Sequence, residues 1–141
     1  MDGGAAPPPA GALEGASRRG EGLPREERLR RRADYLRCYR EGRRRGGRLA
    51  TLFFVPNSLP CPRLGITVSR KVGKKAVVRQ RLKRRVREIY RRWDHRSQLP
   101  AVDLVVNLKP DAAKAGFREL ESEIGRQLAT LLAAPAAGRA S

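Results

Sequence analysis

The chain has 141 residues, of which 32 are Lys or Arg and 14 are Asp or Glu, so its formal net charge is +18 and its pI about 11.5. That length fits one domain with a single core of modest size and excludes a second catalytic domain. No apolar run nears the ~20 residues that a bilayer span needs, and Cys38 and Cys61 stand far apart without a C-x-x-C or Cys/His cluster, which excludes a disulfide framework or zinc site and fits a reducing cytoplasm.

Residues 1–24 hold six Gly, four Pro and five Ala, a composition that buries too little surface to offset the entropy of ordering it, and they read as a disordered arm. The arm has no apolar signal region, and Asp2, Glu14 and Glu21 argue against a transit peptide, so the expected location is cytoplasmic. From Arg25 to Arg40 a helix is predicted, with Leu29, Ala33 and Leu36 on one stripe, Tyr35 and Tyr39 beside it, and a stop at Gly42. After a basic turn, Leu49 to Val55 reads as a strand ended by Pro56-Asn57. Arg63 to Ser69 reads as a half-buried strand, and the spacing suits an antiparallel hairpin of the two. A helix is predicted from about Val77 to Trp93, with Val78, Leu82, Val86, Ile89 and Trp93 on one arc. Val102 to Leu108 follows as a strand. Phe117, Leu120, Ile124, Leu128 and Leu131 then mark a last amphipathic helix, and residues 133–141 a flexible tail. The expected fold is α+β, one domain over 25–132, in the order α-β-β-α-β-α on one sheet with helices on at least one face.

Charge lies in two blocks. Thirteen Lys or Arg between Arg70 and Arg96 face only Glu88 and Asp94, and eleven between Arg25 and Arg48 face four acids. On the second predicted helix, Gln80, Arg84, Arg87 and Arg91 lie opposite the apolar arc, Arg81, Arg85 and Arg92 on one shoulder, and Arg79 and Lys83 on the other. Like charges at this spacing repel, so a face without an acidic ladder calls for a polyanion. Guanidiniums at helical spacing can each grip a phosphate, and the apolar arc is needed against the sheet rather than against lipid, which favours nucleic acid over membrane. No helix-turn-helix pattern supports DNA. Tyr35 and Tyr39 one turn apart, with Phe53 flanked by Thr51, could present stacking groups to unpaired RNA bases, or could simply be core. The single histidine, His95, has no catalytic companion, Glu119, Glu121 and Glu123 fall on the polar face of the last helix, and no phosphate loop or nucleophile elbow is present. The sequence describes a binder without a chemical centre of its own.

The stretch Arg63-Leu64-Gly65-Ile66-Thr67-Val68-Ser69-Arg70-Lys71-Val72-Gly73, followed by Val77-Val78-Arg79-Gln80-Arg81-Leu82-Lys83-Arg84-Arg85-Val86-Arg87-Glu88, closely resembles the protein subunits of bacterial ribonuclease P. Asp34-Tyr35, Tyr39-Arg40-Glu41-Gly42 and Asp103-Leu104-Val105-Val106 extend the resemblance over roughly residues 25–132. It implies a small basic protein that joins a catalytic RNA to remove 5′ leaders from precursor tRNA. The RNA carries the Mg²⁺-dependent hydrolysis, and the protein, with no catalytic residue or cofactor of its own, raises substrate and metal affinity. The family's Arg-Asn-Arg-x-Lys-Arg-x-x-Arg helix falls on Arg79, Gln80, Arg81, Lys83, Arg84 and Arg87, with Gln80 one methylene longer than the usual Asn, and Arg70 and Lys71 belong to the same RNA surface. The turn Gly73-Lys74-Lys75-Ala76 is one residue longer than the common form. By motif match, Tyr35, Tyr39, Thr51 and Phe53 would form a cleft for the single-stranded leader. The resemblance also implies a left-handed β-α-β crossover. A structural protein binding ribosomal RNA is the alternative of a different class.

Overall fold

Why the sheet orders itself as it does follows from which strands are apolar on both faces. The structure is a computed structural model that describes residues 23–133. Its elements are α1 (Arg32–Glu41), β1 (Arg43–Arg45), β2 (Ala50–Pro56), β3 (Arg63–Thr67), α2 (Ala76–Arg92), β4 (Val102–Leu108) and α3 (Phe117–Ala133), an α+β fold around one four-stranded sheet. The strand order is β1-β2-β4-β3, with β2 antiparallel and β3 parallel to β4. The expected β2/β3 hairpin is therefore replaced: β4 inserts between them. Both β2 and β4 are apolar on two faces, so burying them means giving each a neighbour on either side, and the shorter strands go to the edges.

Alternation along the strands then builds two cores. Leu52, Phe54, Leu64, Ile66, Leu104, Val106 and Leu108 face α2 and α3, meeting Leu82, Val86, Ile89, Leu120, Ile124, Leu128 and Leu131. Phe53, Val55 and Val105 face the other way, under Tyr35, Cys38 and Leu29. Helices thus cover both faces. This is why β3, predicted half-buried, also buries Gly65 and Thr67. A Cβ on Gly65 would stand 2.7 Å from the Tyr35 ring, so the absent side chain is what lets α1 lie against the sheet.

The edges explain the other differences. β1 is three arginines, which the sequence reads as a turn; it pairs with β2 from Arg43 opposite Phe54 to Arg45 opposite Leu52, and its charge keeps the exposed edge from pairing further. At the opposite edge Arg28 bridges Leu64, and the Leu29 amide donates to the Leu64 carbonyl at 2.9 Å. The predicted first helix therefore begins only at Arg32. Leu29 is buried as an extended edge residue, Ala33 is exposed, and the buried face of α1 is Tyr35 and Cys38. Leu23, assigned to the arm, packs into the larger core, so the domain starts two residues earlier; the rest of the arm, 1–22, and the tail from 134 lie outside the described residues. Phe117, expected on the apolar stripe of α3, is exposed at the helix start. Glu123, expected on the polar face, is buried and accepts the Leu49 and Ala50 amides at 2.8 and 2.9 Å.

Candidate nucleic-acid interface

α2 offers its charge unevenly. Arg81 and Arg84 are exposed, Gln80 and Arg85 half-exposed, and Arg70 and Lys71 exposed on the loop leading in. Among the described residues none of these cations is within salt-bridge distance of a carboxylate. Glu88 takes Arg91 at 2.7 Å and Arg92 at 3.4 Å. At the start of the helix Arg79 folds back, its Nη1 donating to the Gly73 and Lys74 carbonyls at 2.9 Å each. No acid occupies the first turn, while Lys74 and Lys75 precede it. Cations at a helix N-terminus oppose the macrodipole, an arrangement that a bound anion relieves.

Lys83 and Arg87 are placed differently from the expectation that they face RNA: only 3% and 6% of their surface is exposed. Both make interactions within the protein. Arg87 lies near enough to Tyr35 to favour its phenolate, although burial outweighs this and pushes that phenol up. The reason is a second stripe on α2, Lys83-Val86-Arg87-Tyr90, all of it buried beside the Leu82-Ile89 arc. The spacing i, i+3, i+4, i+7 was the available signal, masked by the charge of two of its members.

The predicted cleft between α1 and the sheet is filled at its base. Tyr35 and Phe53 are 0% and 1% exposed and Thr51 is buried, so neither ring has a face open for stacking. The Tyr35 hydroxyl donates to the Leu29 carbonyl at 3.3 Å. Tyr39 is half-buried, its ring 4.6 Å from Phe53 at 58°. Its hydroxyl lies 2.9 Å from Thr67 Oγ1, which donates in turn to Asn107 Oδ1 at 3.0 Å. Burial, opposed by the Thr67 contact, pushes the Tyr39 phenol up to about 12, so it is a neutral donor at ordinary pH. Thr51, Asn107 and Thr67 are register partners on one face, so a row of polar groups crosses three strands beside the Tyr39 ring. Thr67 and Asn107 escaped the sequence reading. Their signal was a polar residue near the C-terminal end of each apolar strand.

The Ribonuclease P family model matches residues 23–132. The chain belongs to the ribonuclease P protein family. Among relatives, the ribonuclease P protein component of Desulfovibrio desulfuricans is 46% identical over 98 residues, 67% of this chain and 73% of the relative. That of Thermobifida fusca is 41% identical over 115 residues, 75% of this chain and 76% of the relative. The solved RNase P protein of Thermotoga maritima, in complex with 1-(4-fluorophenyl)-2-thiourea, superimposes with a TM-score of 0.65 at 35% identity, covering 72% of this chain and 96% of that one. The Staphylococcus aureus RNase P protein gives 0.67 at 28% identity over 74% and 94%. In this ribonuclease P protein Gln80 of α2 is half-exposed among arginines on the solvent side. Among the described residues no three His, Cys, Asp or Glu side chains gather to hold a metal ion, and no helix is long and apolar enough to cross a membrane.

Proposed function

We propose that this chain is the RNA-binding protein subunit of a ribonuclease P ribonucleoprotein, acting in the cytoplasm with a catalytic RNA on precursor tRNA. Arg70, Lys71, Gln80, Arg81 and Arg84 contact the catalytic RNA, while Arg79 shapes the loop that precedes the helix. Lys83 and Arg87 support that face from beneath. The observation that carries this reading is the exposed, uncompensated charge of α2, on a helix whose other side is fully used by the core. The Mg²⁺ and the hydrolysis belong, in this reading, to the RNA, while Asp103 serves the fold by holding Arg63 at 2.8 Å.

The 5′ leader is proposed to pass along the α1 face, over the Tyr39 ring and the Thr51-Asn107-Thr67 row. Tyr35 and Phe53 form the wall behind it. Single-stranded RNA suits such a surface because the half-buried Tyr39 ring and the half-exposed Asn107 amide at its rim tolerate many sequences. The test is to purify the chain from its own cells, extract the RNA bound to it, and ask whether that RNA cleaves precursor tRNA at the 5′ end in Mg²⁺ and does so better with the protein restored. Ribosomal RNA as the sole partner would overturn the reading, as would cleavage by the RNA-free protein.

A further inference from the structure

A second concave basic site lies away from α2, where the start of α1 meets the loop after β2. It is an open cavity of about 400 Å³ lined by Arg30, Arg31, Arg37, Arg63, Asp34 and Asn57, among others. Two of its arginines are held rigidly. Arg63 gives Nε and Nη2 to the two oxygens of Asp103 at 2.9 and 2.8 Å, with Asp34 at 3.5 Å. Arg37 gives Nη2 to the Pro56 carbonyl at 2.7 Å and sets Nη1 3.5 Å from Asp103, with Glu41 3.7 Å from its Nε. A guanidinium has five N–H donors, and among the described residues Arg63 Nη1 spends neither of its two. Arg30 and Arg31 are exposed, with no carboxylate in salt-bridge range among the described residues. Asp103 is fully buried beneath the cavity, so its charge orients the two inner arginines without facing a ligand. What faces outward is four guanidiniums against Asp34, itself turned to Arg63.

We propose that this cavity is a seat for an RNA phosphodiester, with Arg63 and Arg37 as pre-oriented donors and Arg30 and Arg31 as the outer clamp. Guanidiniums fixed by a buried carboxylate lose little rotamer freedom on binding, and planar N–H pairs match phosphate oxygens. The site lies at the Arg63 end of β3, and the Thr67 row lies at the other end of the same face, four residues or about 13 Å along the strand. One strand of RNA on the α1 face can therefore reach both. The inference rests on the RNA-binding reading above, and the phosphate could belong to the leader or to the catalytic RNA.

The experiment measures affinity against salt for the full chain with three RNAs: the extracted catalytic RNA, precursor tRNA and mature tRNA, the last two on the reconstituted holoenzyme. In R30A/R31A, affinity for at least one RNA is expected to fall about tenfold, with a log–log salt slope shallower by about 0.7 for each phosphate lost from a single strand. R30K/R31K should recover most of both. A loss confined to precursor tRNA assigns the phosphate to the leader, and a loss with the catalytic RNA assigns it there. The charge-matched control K114A/R118A, on exposed residues just before and in the first turn of α3, should change little. If R30A/R31A loses no more than this control with any RNA while R84A does lose affinity, the seat is overturned and the RNA-binding reading stands. If R84A also matches the control, that reading itself fails.

Discussion

Glu123 is a carboxylate doing a backbone's work. β1 ends at Arg45, leaving the Leu49 and Ala50 amides at the mouth of β2 without strand partners, and Glu123 on α3 accepts both. Gln127, one turn on, donates to the Ala50 carbonyl at 2.9 Å, so α3 is stitched to β2 through main-chain groups as well as through Leu120 and Ile124. Removing the acceptor strands two buried donors, each with its desolvation penalty unmet. Glu123→Ala is therefore expected to cost about 2–4 kcal/mol in urea unfolding, and Glu123→Gln, which keeps one acceptor oxygen, distinctly less. The two cysteines differ for a related reason. Burial pushes the Cys38 thiol up to about 12, with Asp103 adding to it, whereas Cys61 is raised but half-exposed on its loop. Maleimide at mild pH should label Cys61 in the folded protein and Cys38 only after unfolding, since the thiolate is the nucleophile. With Cys38 and Tyr39 both raised on folding, the native state holds more protons than the unfolded chain above pH 9. Stability is then complete below that pH and declines as pH climbs towards 12, visible as a falling Tm.

At the scale of elements, α2 separates two kinds of arginine that look alike in sequence. Arg84 projects into solvent and Arg87 is buried. Arg84→Ala should leave the melting temperature nearly unchanged while weakening RNA affinity and flattening its salt dependence by about one phosphate contact. Arg87→Ala removes buried methylenes together with a charge, so it is expected to destabilise the fold by roughly 1–3 kcal/mol before any effect on RNA is read. Calorimetry paired with RNA titration separates the two, and equal melting temperatures would refute the assignment. The same helix marks how much was legible. Its limits, its apolar arc and its excess of charge follow from periodicity, as does all of β4. Sheet order did not follow, because adjacency in sequence favours a hairpin while the two-faced burial of β2 and β4 decides the centre. Nor did β1, whose three arginines carry no strand signal and pair only because β2 offers an edge. For the site, charge placed the α2 surface, but Tyr35 and Phe53 read equally as stacking groups or as core; only the depth at which Gly65 admits α1 decides between them.

Across the whole molecule, Asp103 is where the separate pieces meet. It sits in the central strand β4, fully buried, and its carboxylate gathers Arg63 of β3, Arg37 of α1 and Asn57 after β2, the last through Nδ2 at 2.9 Å. Its backbone carbonyl is the partner of the Cys38 thiol at 3.7 Å. Three other parts of the chain, α1, the loop after β2 and β3, thus converge on one residue of β4. The larger core lies on the other side of the sheet, so α1 is held by this junction together with its own small apolar patch. Hydrogen-bonded charge at such a place adds little net stability compared with an apolar junction, yet it is severe to break, because the surviving guanidiniums are left half-buried without their counter-charge. Asp103→Ala is expected to lower unfolding free energy by about 3–5 kcal/mol. Asp103→Asn keeps the shape and one acceptor and should lose less. Because α1 is the segment held mainly through this junction, hydrogen exchange in Asp103→Asn should quicken first in the α1 amides, ahead of β2 and β4. A uniform increase across the sheet would show instead that the two cores unfold together and that Asp103 braces the fold as a whole.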